Sequence, residues 1–220
     1  MKAFKTIVCI ILAACTFLLT GCNNWWDDAE KFRGACAKLG ENPSIKITVE
    51  NYTGTSYADL TLKTTEEEWL SGEDFYGIDS KGRRKLHCGD ENWTGVLTSM
   101  TDSWKYSKTE VLSSFRWILD GVDGYLKTQS FFVRDGETII MEARFNSRAW
   151  NVTKRTGAIY TFYMTDDWEI YKILYSDITF RGDRAVEEEI ETIEQSIYYI
   201  TQMERAMVDS VISMHYANAA

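Results

Sequence analysis

Proline is almost absent: Pro43 is the only one in 220 residues, and glycine numbers 14. Collagen-like, low-complexity and disordered chains are excluded by that scarcity, together with an apolar content of 45%. Histidine is scarcer than a catalytic or zinc site would want, with only His87 and His215, and neither stands in an HExxH run. No GxSxG or CxxC occurs either, so a nucleophile elbow, a zinc ribbon and a thioredoxin-type centre have no support. Basic clusters are few. The densest, Lys81-Gly-Arg-Arg-Lys85, reads as a hairpin tip in a chain of formal charge −9. Nucleic-acid binding, which draws its affinity from neutralised phosphates, is therefore not expected. One uncharged apolar run exists, from Thr6 to Leu19, and it is shorter than the roughly 20 residues that span a bilayer. A multi-span membrane protein is excluded.

That run is preceded by Met1-Lys-Ala-Phe-Lys5 and followed by Leu19-Thr20-Gly21-Cys22. A positive head, an apolar stretch and small residues make an export signal; an uncleaved anchor is the other reading. Leu19-Thr20-Gly21-Cys22 resembles the lipobox of bacterial lipoprotein precursors. The resemblance covers the first 22 residues and implies cleavage after residue 21, a diacylglycerol on the Cys22 thiol and acylation of the new amino group. Two or three acyl chains make a lasting anchor, at about 0.8 kcal/mol per buried methylene. Asn23 in place of Asp favours the outer over the inner membrane in a Gram-negative host. Trp25 and Trp26 fall within reach of lipid headgroups, where indoles sit well, and read equally as tether or core edge. Loss of Lys2 and Lys5 with the signal makes the balance two charges more negative than −9, which disfavours attraction to anionic lipid.

With Cys9 and Cys15 in the signal and Cys22 acylated, Cys36 and Cys88 remain. An oxidising envelope favours their pairing, with two buried thiols as the alternative. A bridge would close about 53 residues and contribute about 4 kcal/mol in the chain-entropy model.

Phe32, Cys36 and Leu39 predict a short amphipathic helix over 29–39, ended by Gly40 and Pro43. The period then becomes two. Ile45, Ile47 and Val49 alternate with polar residues, as do Ala58, Leu60 and Leu62, which predicts an antiparallel pair about Gly54. Ser107 to Leu119 supports two readings. Ser107 with Glu110 forms a capping box before a helical face, while Val111, Phe115, Trp117 and Leu119 share one face of a strand; the surrounding sheet favours strand. Asp135-Gly136 marks a hairpin turn between Tyr125 and Phe145. Further strands are expected over 150–153, 158–164 and 168–180, giving about eight or nine between Ser44 and Arg181. The expected fold is α+β: mainly antiparallel, a curved sheet or lipocalin-like barrel, with a short N-terminal helix and a long C-terminal one. The latter is read over 183–220 from apolar residues averaging near 3.5 apart, with glutamates in its first turns. The divisions are thus a signal at 1–21, a lipid tether at 22–28, a β domain at 29–182 and the helix at 183–220.

The expected function is a lipid-anchored, non-catalytic module of the cell envelope that binds a small apolar ligand or an envelope protein, without cofactor or metal. An alternative is an assembly protein oligomerising through the helix stripe Ile193, Ile197, Ile200, Met203, Met207 and Val211. A weaker one is a glycan hydrolase using carboxylates such as Glu137, Glu142 or Asp177, with tryptophans stacking on sugar rings. Loose calcium-loop fragments at Asp120–Gly124 and Asp90–Asn92 lack the regular oxygen-ligand spacing.

Overall fold

A computed structural model of the protein describes residues 25–41, 43–98, 103–108, 114–147, 154–181 and 189–219. A helix over 25–41 (α1) comes first. A meander follows: β1 (Ser44–Gly54), β2 (Thr61–Ser71), β3 (Asp74–Ile78), β4 (Arg84–Cys88), β5 (Glu91–Thr98) and β6 (Ser103–Lys108). Two short helices, α2 (Ser114–Asp120) and α3 (Val122–Lys127), lead to β7 (Gln129–Asp135), β8 (Thr138–Ser147), β9 (Lys154–Met164), β10 (Ile170–Arg181) and β11 (Glu189–Gln202). Helix α4 (Arg205–Ala219) ends the chain. All strands join one antiparallel 11-stranded sheet of order β6-β5-β4-β3-β2-β1-β11-β10-β9-β8-β7. Only the central β1–β11 pair joins strands distant in sequence, with Ile47 opposite Ile200 and Val49 opposite Tyr198.

Alternation along the strands gives the sheet two apolar faces at different places. On the inner face Ile45, Ile47, Leu70, Met141, Phe162 and Ile173 are buried beneath α1, α2 and α3. Ala29, Phe32, Cys36 and Leu39 recur three and four apart along α1 and turn toward this face, and the Phe32 ring meets Phe162 edge-on at 4.9 Å. Near β2–β5 the outer face is covered instead by α4. Trp69, Tyr76, Leu86 and Trp93 lie opposite one another across four strands, and Val208 and Ile212 pack on them. The His215 ring stacks on Tyr76 with centroids 3.7 Å apart. The α4 entry is tied down by the Met203 amide, which donates to the Ser44 carbonyl at 2.9 Å, and the far turn by the Tyr216 hydroxyl, which donates to Glu91 at 3.0 Å.

Two turns show the local chemistry. Gly136 sits at φ 59° in the β7–β8 turn after Asp135, as the Asp-Gly pair predicts. Gly121 lets the Tyr125 ring fold back between α2 and α3, where a Cβ would stand 2.6 Å from the ring.

The antiparallel expectation holds, with four corrections. The sheet is open, bounded by β6 and β7, and no lipocalin-like barrel closes. The long helix over 183–220 is replaced by β11 and the shorter α4. Its apparent 3.5-residue period arises because β11 buries side chains on both faces, Ile193 on the outer and Tyr198 and Ile200 on the inner; its Ile, Thr and Tyr content suits a strand. Within 107–119, β6 ends at Lys108 and α2 takes the segment from Ser114, burying Phe115, Ile118 and Leu119 while Trp117 is 65% exposed. Residues 25–28, assigned to the tether, already belong to α1. The strand expected over 150–153 lies outside the described residues.

Candidate functional site

The inner face divides into a covered half and an uncovered one. Tyr125 of α3 packs on an aromatic floor of Tyr160, Phe162 and Phe145, with Tyr125 and Tyr160 centroids 4.5 Å apart and Tyr160 and Tyr175 4.7 Å apart. One cross-strand row continues outward from it: Tyr160 on β9, Tyr175 on β10, Ser196 on β11, Asn51 on β1 and Thr64 on β2. Strand alternation puts all five on one face. Beyond Tyr160 the row is only half-buried.

Its polar groups are knitted together. The Ser196 hydroxyl donates to Asn51 Oδ1 at 2.7 Å, and Asn51 Nδ2 donates to Thr64 Oγ1 at 3.2 Å and Glu66 Oε1 at 3.1 Å. The Tyr125 hydroxyl donates to the Ile118 carbonyl at 2.9 Å and couples to the Tyr160 hydroxyl. Asp177 and Glu194 stand one row along.

Electrostatics keeps the tyrosines protonated. Burial, with the neighbouring Tyr175, pushes the Tyr160 hydroxyl up to about 12. Burial also raises Tyr198, reinforced by the Glu68 and Glu66 charges, and raises Tyr175, reinforced by Asp177. These hydroxyls are hydrogen-bonding groups at neutral pH, not phenolate nucleophiles. The face can hold an apolar skeleton over its rings and satisfy donors at its carboxylate, amide and hydroxyl end.

A second concavity, of about 450 Å³, lies between α1 and α2–α3 over Cys36, Ala37, Leu119 and Val122. Both of its rim arginines have partners: Arg33 with Asp123 at 3.2 Å and Arg116 with Glu73 at 3.0 Å.

The structure scatters most residues singled out from sequence. Cys22 lies outside the described residues. Cys36 and Cys88 are free thiols, so the expected bridge is corrected: Cys36 sits in the inner core and Cys88 beside the α4 cluster, with the sheet between them. Of the expected helix stripe, Ile193 and Ile197 fall on the outer face of β11 and Ile200 on the inner. Met203, between β11 and α4, and Val211 pack on the outer cluster while Met207 is exposed, so the six do not form one stripe. Glu137 is in the β7–β8 turn, and Glu142 binds Arg144 on the outer face while Asp177 is on the inner, so these carboxylates do not flank one cleft. His87 faces Phe75 on the inner side, and His215 projects from α4 onto Tyr76 of the outer face. Among the described residues no group of three His, Cys, Asp or Glu is placed to hold a metal ion, and no helix is long and apolar enough to cross a membrane. The row Tyr160–Tyr175–Ser196–Asn51–Thr64 escaped sequence reasoning because it depends on register. Tyr160, Phe162 and Met164 at every second position were its only local signal.

No protein-family model and no curated protein sequence matches the chain. Among solved structures it is similar to a LolA superfamily protein from Nitrosomonas europaea, with 11% identity over 80% of this chain and 92% of that chain and a TM-score of 0.30. A superposition that loose assigns the chain neither a family nor a ligand.

Proposed function

We propose that the protein is an exported, lipid-anchored binding module whose ligand lies on the uncovered half of the inner face. The reading is carried by the cross-strand row that leaves the aromatic floor at Tyr160 and ends in the Ser196–Asn51–Thr64 network. An amphipathic small molecule fits it, its apolar part over Tyr160 and Tyr175 and its donor groups toward Glu66, Asp177 and Glu194. The anchor reading rests on Leu19-Thr20-Gly21-Cys22, with the outer membrane as the destination in a Gram-negative host. The assembly alternative loses its basis with the long helix, and the hydrolase alternative with the separated carboxylates.

The test is organic extraction of the purified full-length protein followed by mass spectrometry. A stoichiometric small molecule is expected in wild type, reduced in Tyr175→Ala and retained in Tyr199→Ala, whose side chain is on the outer face. An empty protein, or equal occupancy in both variants, refutes the site. Intact mass of wild type beside Cys22→Ala checks the anchor, with acyl mass expected on a chain beginning at Cys22 only in wild type.

A further inference from the structure

The first turn of α1 meets two sheet turns at one end of the molecule. Trp26 is 60% exposed there, and its ring stands edge-on to Trp25 at 5.0 Å. Trp25 packs on Phe132, which in turn meets Trp168 at 6.1 Å. Trp168 lies in the β9–β10 turn at φ 63°, the only non-glycine residue among those described with a positive φ. A bulky side chain in the left-handed region is strained, so its place here calls for a compensating use. Two cations lie within 6 Å of the same indole: Lys31 Nζ at 5.6 Å and the Arg134 guanidinium at 5.8 Å. Arg134 also reaches Asp28 at 3.4 Å.

We infer that this end of the molecule, Trp26 and Trp168 with Lys31 and Arg134, is a membrane-contact surface that seats in the headgroup layer of a zwitterionic bilayer. The inference rests on the lipid-anchor reading of Cys22. Three residue steps separate Cys22 from Trp25, a reach of at most about 10 Å. The headgroup region on each side of the hydrocarbon core is itself roughly 5–8 Å deep. An acylated Cys22 therefore holds the first turn of α1 against the lipid surface whatever the rest of the domain does. Trp26 exposes its indole and the half-buried Trp168 leaves part of its own uncovered; such surface is unfavourable in water and favoured at that interface.

Charge selects the lipid. Beside the two cations stand the exposed acids Asp27, Asp135, Asp166 and Asp167. A surface of one sign would match anionic lipid. This mixed rim instead matches a headgroup carrying both a phosphate, toward Lys31 and Arg134, and an ammonium, toward the acids.

The experiment uses the full-length lipidated protein in phosphatidylcholine vesicles whose acyl chains carry bromine, a short-range quencher of indole fluorescence. Trp26→Ala, Trp168→Gly and their double variant are compared with Trp117→Phe. Trp26 is exposed, so Trp26→Ala keeps the fold. Glycine accepts the left-handed backbone at 168, and circular dichroism checks that loss of the Phe132 contact leaves Trp168→Gly folded, the Trp26→Ala single variant carrying the test if it does not. Trp117 is on α2, near the opposite end of α1, about 23 Å away along the helix. The double variant is expected to lose about half or more of the bromine-dependent quenching, while Trp117→Phe leaves it unchanged. Replacing a third of the lipid with anionic phosphatidylglycerol is expected to leave the quenching equal or lower. Acylated protein whose quenching is unaffected by the double variant overturns this surface and leaves the anchor standing. Quenching that rises with anionic lipid overturns the zwitterionic assignment. Absence of acyl mass on Cys22 overturns the anchor and this surface together.

Discussion

Replacing Phe32 by alanine tests whether α1 is an integral layer of the domain. Phe32 is fully buried and makes edge-on ring contacts with Phe162 at 4.9 Å and Phe132 at 6.1 Å. A Phe-to-Ala change in a core that cannot collapse costs about 3–5 kcal/mol. The upper half applies here, because β9, which carries Phe162, is fixed by ladders on both sides and each aromatic pair adds roughly 0.5–1.5 kcal/mol beyond its area. Against a typical total of about 5–15 kcal/mol, that is a large fraction of the stability. With a urea slope of about 2 kcal/mol/M, the unfolding midpoint falls by about 2 M at unchanged slope. Urea unfolding followed by far-ultraviolet circular dichroism reads this directly. Phe131→Ala is the comparator: Phe131, next to Phe132 on β7, points to the outer face, 37% exposed, and its loss is expected to cost less than about 1 kcal/mol. If the two variants lose equally little, α1 is not held on the sheet by Phe32, and the covered inner face described above is not the folded core.

Further outcomes are accessible with simple variants. Burial pushes the Cys36 thiol up to about 12, so Ellman's reagent at pH 8 is expected to spare it in the native protein and to count both Cys36 and Cys88 after denaturation without reductant; a thiol count that rises only on reduction would mean a bridge. Burial works to raise the Asp79 carboxyl, but the Arg83 side chain, the Arg83 and Lys81 amides and the Arg83 charge outweigh it and hold it below the ordinary range. The unfolded chain therefore takes the proton first, and the stability this group contributes is full above about pH 4 and is lost as the pH falls through the lower folded value. Asp79→Asn is expected to cost about 1–2 kcal/mol at pH 7 and to match wild type in stronger acid, measured by melting at each pH. Burial first, and then the Arg84 charge, lowers the His215 value, so the neutral ring is the one stacked on Tyr76. Here too the contribution is full above about pH 6.5 and falls as the pH drops toward the folded value; His215→Phe is expected to flatten the pH dependence of melting between pH 7 and 5.

Legibility from sequence followed the physics of each element. β1 could be read because Ile45, Ile47 and Val49 face one core while Lys46, Thr48 and Glu50 stay half-buried on the other side. The β7–β8 hairpin could be read because Asp135-Gly136 is a local turn code and Ile139, Met141 and Ala143 alternate cleanly. β11 could not, because a central strand buried on alternate faces along its length has no single period. α2 was ambiguous because seven residues give too few turns for a 3.6-residue pattern to outweigh a two-residue one. The candidate site was hidden for a different reason: Tyr160, Tyr175, Ser196, Asn51 and Thr64 come from five strands, and only the pairing registers bring them into one row. Cys36 and Cys88 illustrate the same limit, since counting thiols says nothing about which face of a sheet each occupies.

The seam between β1 and β11 constrains how the molecule is made. Ile45 lies opposite Gln202, so the first strand waits for nearly the whole polypeptide before its second neighbour exists. Until then β1 and β10 each present an unsatisfied backbone edge, and β7–β10 form a separate half-sheet. Such distant closure is slow, because the loop entropy is lost before the contact is gained. For a chain threaded through a channel from its N-terminus, that delay is an asset: the two half-sheets can form locally, but the full sheet cannot close before residue 202 has arrived. The corollary is a vulnerability to C-terminal truncation. A nonsense codon within 189–202 would release two half-sheets with open edges, substrates for proteolysis and for aggregation rather than a shortened but working domain.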